Sequence, residues 1–114
     1  HMIKIMGKII RCTRGDTLRV RITPLKDADG NPYHIADTDT IVFTVKKDYG
    51  DESVELIHYV VTDHDTLIVD IPATETKKLK MGETYVYDVS LTTVDGYVDT
   101  FIDCGTLQIT EEVG

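Results

Sequence analysis

Apolar and polar side chains alternate with a period of two along most of this chain, the spacing of strands that bury one face and wet the other. In Leu18-Arg19-Val20-Arg21-Ile22-Thr23 the aliphatic residues fall on one side and the arginines on the other. Thr40-Ile41-Val42-Phe43-Thr44-Val45 places Ile41, Phe43 and Val45 inward, and Lys46-Lys47 end it before the turn Asp48-Tyr49-Gly50-Asp51. Residues 54–61 are rich in β-branched and aromatic side chains. Thr62-Asp63-His64-Asp65 then reverses the chain into Thr66-Leu67-Ile68-Val69-Asp70-Ile71, which predicts a hairpin. In Tyr85-Val86-Tyr87-Asp88-Val89-Ser90-Leu91 the two tyrosines, Val89 and Leu91 share a side. The turn Val94-Asp95-Gly96-Tyr97 leads into a strand over 98–103. Gly105 predicts a bulge or kink before a last strand, Thr106-Leu107-Gln108-Ile109-Thr110. Only 72–80 reads as helical: Pro72 opens it, Thr74 is placed to cap it, Leu79 faces inward and Gly82 permits a left-handed exit.

Short strands at intervals of about 8 to 12 residues, with turn residues between them, are what two facing sheets require. The expected fold is therefore all-β, an immunoglobulin-like antiparallel β-sandwich of about seven to nine strands with one short helical turn near Pro72-Lys80. Tyr85 follows Gly82 at the start of a strand, the placement of a tyrosine corner whose hydroxyl bonds nearby backbone, so Tyr85, Gly82 and Phe43 are assigned structural roles. With 114 residues there is room for one core. His1-Met2 reads as a tag remnant, 3–112 as a single domain and 113–114 as a frayed tail.

Composition narrows the function classes. Hydrophobic residues at 41% and charged residues at 28% match a packed protein and not a disordered one. A formal net charge of -8 repels phosphate backbones and anionic lipid, so neither nucleic acid nor membrane is expected as a partner. Cys12 and Cys104 form no C-x-x-C motif. First and last strands of a sandwich can lie side by side, which leaves a bridge open, but two reduced thiols are the preferred reading.

Three stretches, Arg14-Gly15-Asp16-Thr17-Leu18-Arg19-Val20, Lys26-Asp27-Ala28-Asp29-Gly30-Asn31-Pro32 and Ile41-Val42-Phe43-Thr44-Val45-Lys46-Lys47, resemble a pattern in phage and prophage tail or baseplate proteins. The chain is similar to the N-terminal domain of baseplate upper proteins and to immunoglobulin-like domains of Firmicutes prophages. Ile71-Pro72, Thr76-Lys77-Lys78-Leu79-Lys80-Met81-Gly82, Tyr85-Val86-Tyr87-Asp88-Val89 and Leu107-Gln108-Ile109-Thr110-Glu111-Glu112-Val113 look like the closing half of the same domains. The resemblance covers nearly the whole chain, although its motifs specify strands and turns more than chemistry. It implies a structural role in a virion tail assembled in the bacterial cytoplasm, with other virion proteins or copies of itself as partners and no cofactor. One departure stands out: the sequence stops directly after its last strand, where baseplate proteins of that type continue into further domains.

Candidate chemistry is sparse. Ser53 and Ser90 have no local nucleophile signature, and the acids Asp99 and Asp103 near Cys104 should raise its thiol pKa and not activate it, so no catalytic residue is expected. Asp63-His64-Asp65 is the best metal candidate, but Asp and His at a tip more often satisfy turn backbone groups. His34 and His58 lack ligand-spaced partners. Asp27-Ala28-Asp29-Gly30-Asn31 has its glycine too early for a calcium loop, and the carboxylates Asp37, Asp39, Asp48, Asp51 and Glu52 read as solvated loop charge. What remains is a surface: Tyr33, Tyr49, Tyr59 and Tyr97 fall in loops or near strand ends, where amphipathic rings suit protein interfaces. A carbohydrate- or host-surface-binding module is the alternative, and the absence of tryptophan counts against it.

Overall fold

The fold was taken from a computed structural model, which describes residues 9–22, 26, 29–48 and 54–110, with backbone alone at 99–104. Among these, seven strands and one short helix follow in the order β1 (Ile9–Thr13), β2 (Leu18–Arg21), β3 (Thr40–Lys46), β4 (Glu55–Val61), β5 (Ile68–Ile71), α1 (Ala73–Thr76), β6 (Thr84–Thr92) and β7 (Val98–Thr110). A five-stranded sheet in the order β1-β7-β6-β3-β4 faces a two-stranded sheet of β2 and β5.

Period-two alternation produces this layering directly. Ile41, Phe43 and Val45 of β3 and Tyr85, Tyr87, Val89 and Leu91 of β6 all point into the space between the sheets, where Leu107 and Ile109 of β7 meet them. From the other side come Leu18 and Ile22, with Val69 and Ile71 of β5. Full burial of one such side chain stabilises the fold by about 1.5–3 kcal/mol, so these rows hold the two sheets in register against each other. Arg19 and Asp70 are paired neighbours on the outer face of the smaller sheet, where both are exposed.

Four expectations are corrected. The segment 54–71 is not a hairpin: β4 pairs with β3, and β5 pairs with β2 in the opposite sheet, so 62–67 carries the chain across the sandwich. Leu67 adopts φ 53°, a left-handed backbone rare for a leucine, and its buried side chain plugs the core at the crossing. Second, the sandwich is not wholly antiparallel, because β1 runs parallel to β7 along the sheet edge. Third, Gly105 does not separate two strands, since β7 continues through it, although the expected bulge is present beside it: Tyr87 pairs with Gly105 but Val89 with Ile102, a register shift that inserts one extra residue on β7. Fourth, the helix spans only Ala73–Thr76, Thr74 is exposed and makes no cap, and Pro72 stands at the N-cap without a side-chain bond. Tighter bonds from Lys78 N–H to Glu75 O and from Leu79 N–H to Thr76 O then close the turn. The turn assigned to 48–51 lies, beyond Asp48, outside the described residues.

The two cysteines are not brought into bridging range. Cys12 is buried and unbridged, and its register partner on β7 is Ile109, five positions beyond Cys104 (109 minus 104). At roughly 3.3 Å per residue that offset is about 16 Å, far more than a disulfide spans.

Candidate functional site

Strand directions sort the loops into two ends. The β6–β7 turn, the start of β3 and the exit of β4 lie together, since Thr92 pairs with both Val98 and Thr40, and Val61 with Ile41. We call this the apical end. At the opposite, basal end the β1–β2 turn and the 77–83 connection meet the end of β7, through Arg14 N–H to Thr110 O and Gly82 N–H to Ile109 O.

The basal end is a structural lock. Gly82 takes φ 74°, the left-handed conformation that a glycine adopts without steric cost, and turns the chain into β6. The buried Tyr85 hydroxyl accepts the Lys80 N–H at 2.8 Å, the bond of a tyrosine corner. Lys47 sits 5.1 Å from the centre of the Tyr85 ring and pairs with Glu83. That pairing holds Glu83 below the usual carboxylate range and raises the Lys47 ammonium. Arg14 donates to the carbonyls of Leu79 and Lys77, both at 3.1 Å, tying the connection to the β1–β2 turn. Thr76, wholly buried, places its hydroxyl 2.8 Å from Asp16 O.

The core beside this lock contains a feature that the alternation alone does not reveal. Antibody domains join their sheets by a disulfide whose second cysteine stands two residues after the corner tyrosine and packs on a tryptophan of the third strand. Here that position is Tyr87, and the β3 partner is Phe43, stacked on it at 5.3 Å with 27° between the rings. Tyr87 lies opposite Gly105 on β7, and its ring fills the space where a Cβ at that position would stand.

The apical end is built differently. Gly96, at φ 85°, closes the β6–β7 turn, with Gly96 N–H to Thr93 O and Thr93 N–H to Tyr97 O both at 2.9 Å. On this rigid turn Val94, Tyr97 and Val98 are left 74%, 52% and 58% exposed. At the same end of the sandwich Asp37 and Thr62-Asp63-His64-Asp65 line a recess of about 380 Å³. Asp63 accepts the N–H groups of Asp65 and Thr66 at 2.9 and 3.3 Å, bonds that hold its carboxyl below the ordinary range. Asp39 is buried and accepts the Ala36 N–H at 2.9 Å.

Of the four tyrosines proposed as an interaction surface, the structure exposes Tyr97 most fully among those described. Tyr33 and Tyr59 are half-buried and pack against the core, and Tyr49 lies outside the described residues. Val94 and Val98, which complete the apical patch with Tyr97, were not singled out from the sequence. Their signal was two valines flanking an Asp-Gly turn, where polar residues are the norm.

The acidic loop residues are not gathered into one site: Asp37 and Asp39 are apical, Asp48 follows the basal end of β3, and Asp51 and Glu52 lie outside the described residues. Among the described residues no three His, Cys, Asp or Glu side chains stand close enough to share a metal ion. His34 is exposed, and His58 pairs with Glu55 at 3.1 Å on the outer face of β4. Asp29-Gly30 forms a tight turn under the Lys26–Pro32 bridge, and Asp27 and Ala28 lie outside the described residues. Burial, with Asp16 nearby, pushes the Cys12 thiol up, away from a reactive thiolate. Ser90 is half-buried on β6, and nothing is described at Ser53 or for the Cys104 side chain.

Strand order, the extended five-stranded sheet and the tyrosine corner define an immunoglobulin-like β-sandwich. No protein-family model and no curated protein sequence matches the chain. Among solved structures it is similar to the extracellular domain of the voltage-gated sodium channel beta4 subunit, described as a parallel homodimer with a role in cell-cell adhesion. That match has 10% identity and a TM-score of 0.45, over 99% of each chain. It is also similar to murine CRIg, at 11% identity and a TM-score of 0.40, over 89% of this chain and 91% of the other.

Proposed function

We propose that this protein works by binding and assembly and not by catalysis, as a structural module of a phage or prophage tail or baseplate. The observation that carries the binding reading is the apical patch: three large apolar side chains within five residues, held out of the core by a turn whose hydrogen bonds are satisfied. Contiguous exposed apolar surface on a rigid element is a mark of protein contact. A buried Cys12 with a raised thiol pKa offers no nucleophile. The tail assignment draws on the family-like segments around Arg14-Val20, Ile41-Lys47 and Thr76-Gly82, and with it goes a location in the virion tail after assembly in the bacterial cytoplasm.

The test is to express the chain with the products of the genes flanking its reading frame and to measure complex formation by size exclusion with light scattering. A complex with a tail component, lost in Val94→Asp and Tyr97→Asp variants that keep the far-UV spectrum of strands, is the expected result. A genomic setting without tail genes would overturn the tail assignment, and retention of every partner by both variants would overturn the apical contact.

A further inference from the structure

Four strands stand at sheet edges among the described residues, β1 and β4 in the larger sheet and β2 and β5 in the smaller. An edge strand presents backbone N–H and C=O groups that can pair with another chain, and proteins ordinarily blunt such edges with short strands, charged side chains or proline. Three of the four are blunted. β2 has four residues, two of them the exposed Arg19 and Arg21. β5 also has four, including the exposed Asp70, and runs into Pro72. β1 carries the exposed Arg11 at its centre. β4 differs: its bulge lies at its start, where Lys46 pairs with Glu55 and Val45 with Ile57, and beyond it Ile57-His58-Tyr59-Val60-Val61 is regular. That run holds no lysine, arginine, acid, proline or glycine, and among the described residues its backbone bonds no loop or turn. Tyr59 faces inward between the buried Ile57 and Val61 yet is itself only half-buried, and Val60 on the outer face is 45% exposed. We propose that β4 pairs antiparallel with β4 of a second copy of this chain about a two-fold axis at Tyr59, joining two five-stranded sheets into one. This contact is separate from the apical patch and leaves that patch open to another protein.

The run is its own complement, and this identifies the occupant. Opposite residues of an antiparallel pair share a face. A two-fold at Tyr59 therefore sets Tyr59 on Tyr59 and Ile57 on Val61 along the inner face, and His58 on Val60 along the outer one. The half-buried rings then cover each other. No like charges meet within the run, because Glu55 lies before the bulge and Asp63 lies past Val61, the last residue of β4. A slip of one residue would turn the second copy's inner face outward, and a slip of two would carry the pairing into the bulge or past the end of the strand. Five residues span about 16 Å at about 3.3 Å per residue, a small contact of the weak class that gains from copies held together in a larger assembly. Since each copy uses the same edge, the assembly closes at two.

Edge pairing has a specific test. Sedimentation equilibrium into the millimolar range at pH 8 should show the chain rising from 12.8 kDa to twice that mass and no further. A monomer at all concentrations, or growth past the dimer, would overturn the proposal. Val60→Asp, with its fold verified by far-UV circular dichroism and melting, enters the contact twice across the two-fold and should weaken the dimer by about tenfold or more; an unchanged dimer would overturn it. Register is read by oxidation. His58→Cys and Val60→Cys proteins, mixed, should form a disulfide-linked heterodimer, because those positions face each other. Neither alone should cross-link beyond the parent, since like positions then stand two residues out of register, farther apart than a disulfide reaches. Equal cross-linking in the mixture and in the single variants would refute the two-fold at Tyr59. Tyr97→Asp should leave the dimer intact; its loss there would assign self-association to the apical patch and overturn the edge contact. Loss of a tail-protein complex in Tyr97→Asp is read independently, so failure of either contact leaves the other standing.

Discussion

Gly105→Ala is the substitution whose sign separates two accounts of the core. If Gly105 were only a soft spot in a long strand, alanine would help: glycine in a strand interior is disfavoured by roughly 0.5–1 kcal/mol relative to alanine through its backbone entropy. The structure predicts the reverse. A Cβ at this position falls closer than 3.0 Å to Cζ, Cε1 and Cε2 of Tyr87, nearer than real Cβ contacts come. The Tyr87 ring has nowhere to retreat, because its other face stacks on Phe43 at 5.3 Å and both residues are buried. Overpacking of this kind costs about 1–3 kcal/mol, and three ring atoms struck at once place it at the upper end. Subtracting the backbone gain leaves a net loss of about 2 kcal/mol. For a domain of this length that is a fall in Tm of about 8 °C, at about 4 °C per kcal/mol.

Urea denaturation of four proteins checks the cause: the parent, Gly105→Ala, Tyr87→Leu and the double variant. Tyr87→Leu alone should be destabilising through lost packing, but on that background the added Gly105→Ala should be neutral or stabilising, since the ring it struck is gone. Equal costs of Gly105→Ala on both backgrounds, or a parent made more stable by it, would refute the ring-over-glycine reasoning.

Three further outcomes follow from the same contacts. Phe43→Ala should lower stability by about 3–5 kcal/mol, through lost burial plus the cavity left under Tyr87, read as a reduced urea midpoint; a change within error would mean that β3 is out of register. Tyr85→Phe keeps the ring but strands the Lys80 N–H, and should cost about 1–2 kcal/mol, with hydrogen exchange at Lys80 faster than in the parent. Asp88 is half-buried on the outer face of β6, where desolvation raises its pKa above 3.8, opposed by Lys46 and assisted by Glu55. A carboxylic acid whose pKa is higher in the folded state loses stability as pH rises through that value, because ionisation is easier in the unfolded chain. Asp88→Asn should therefore melt above the parent at pH 7, with the difference shrinking as pH falls toward and below 3.8; a difference independent of pH would rule out the desolvation argument.

Periodicity made β2, β3, β6 and the β6–β7 turn legible because each is a local pattern with one wet face, and a slip of one residue would turn Phe43 and Tyr87 out to solvent. It could not say which sheet a strand joins. Thr62-Asp63-His64-Asp65 does reverse the chain, and Asp63 does bond the turn backbone. The left-handed Leu67 that follows sends β5 to β2 instead of back along β4, and no spacing in 66–71 announces it. The parallel β1–β7 edge was hidden for a similar reason, since it joins residues 97 apart, such as Ile9 and Thr106. At Gly105 the sequence announced a bulge, which the register shift beside it bears out, but not the Tyr87 ring lying over it, a contact between residues 18 positions apart.

The interaction surface shows where a residue-type argument needs geometry. Tyr59 shares its parity with Ile57 and Val61, both buried, so the alternation already placed it inward, and its aromatic character alone suggested a surface. Tyr97 differs because the turn that carries it bonds its own backbone to Thr93 and points the ring away from the core. An apolar side chain exposed on a mobile loop can fold back onto the protein. A ring and two valines fixed to a closed turn at the apical end cannot reach the core they lie outside. Val94 and Val98, 74% and 58% exposed, therefore stay at the surface of the closed turn, which makes that turn a place on this fold where a protein contact is to be sought.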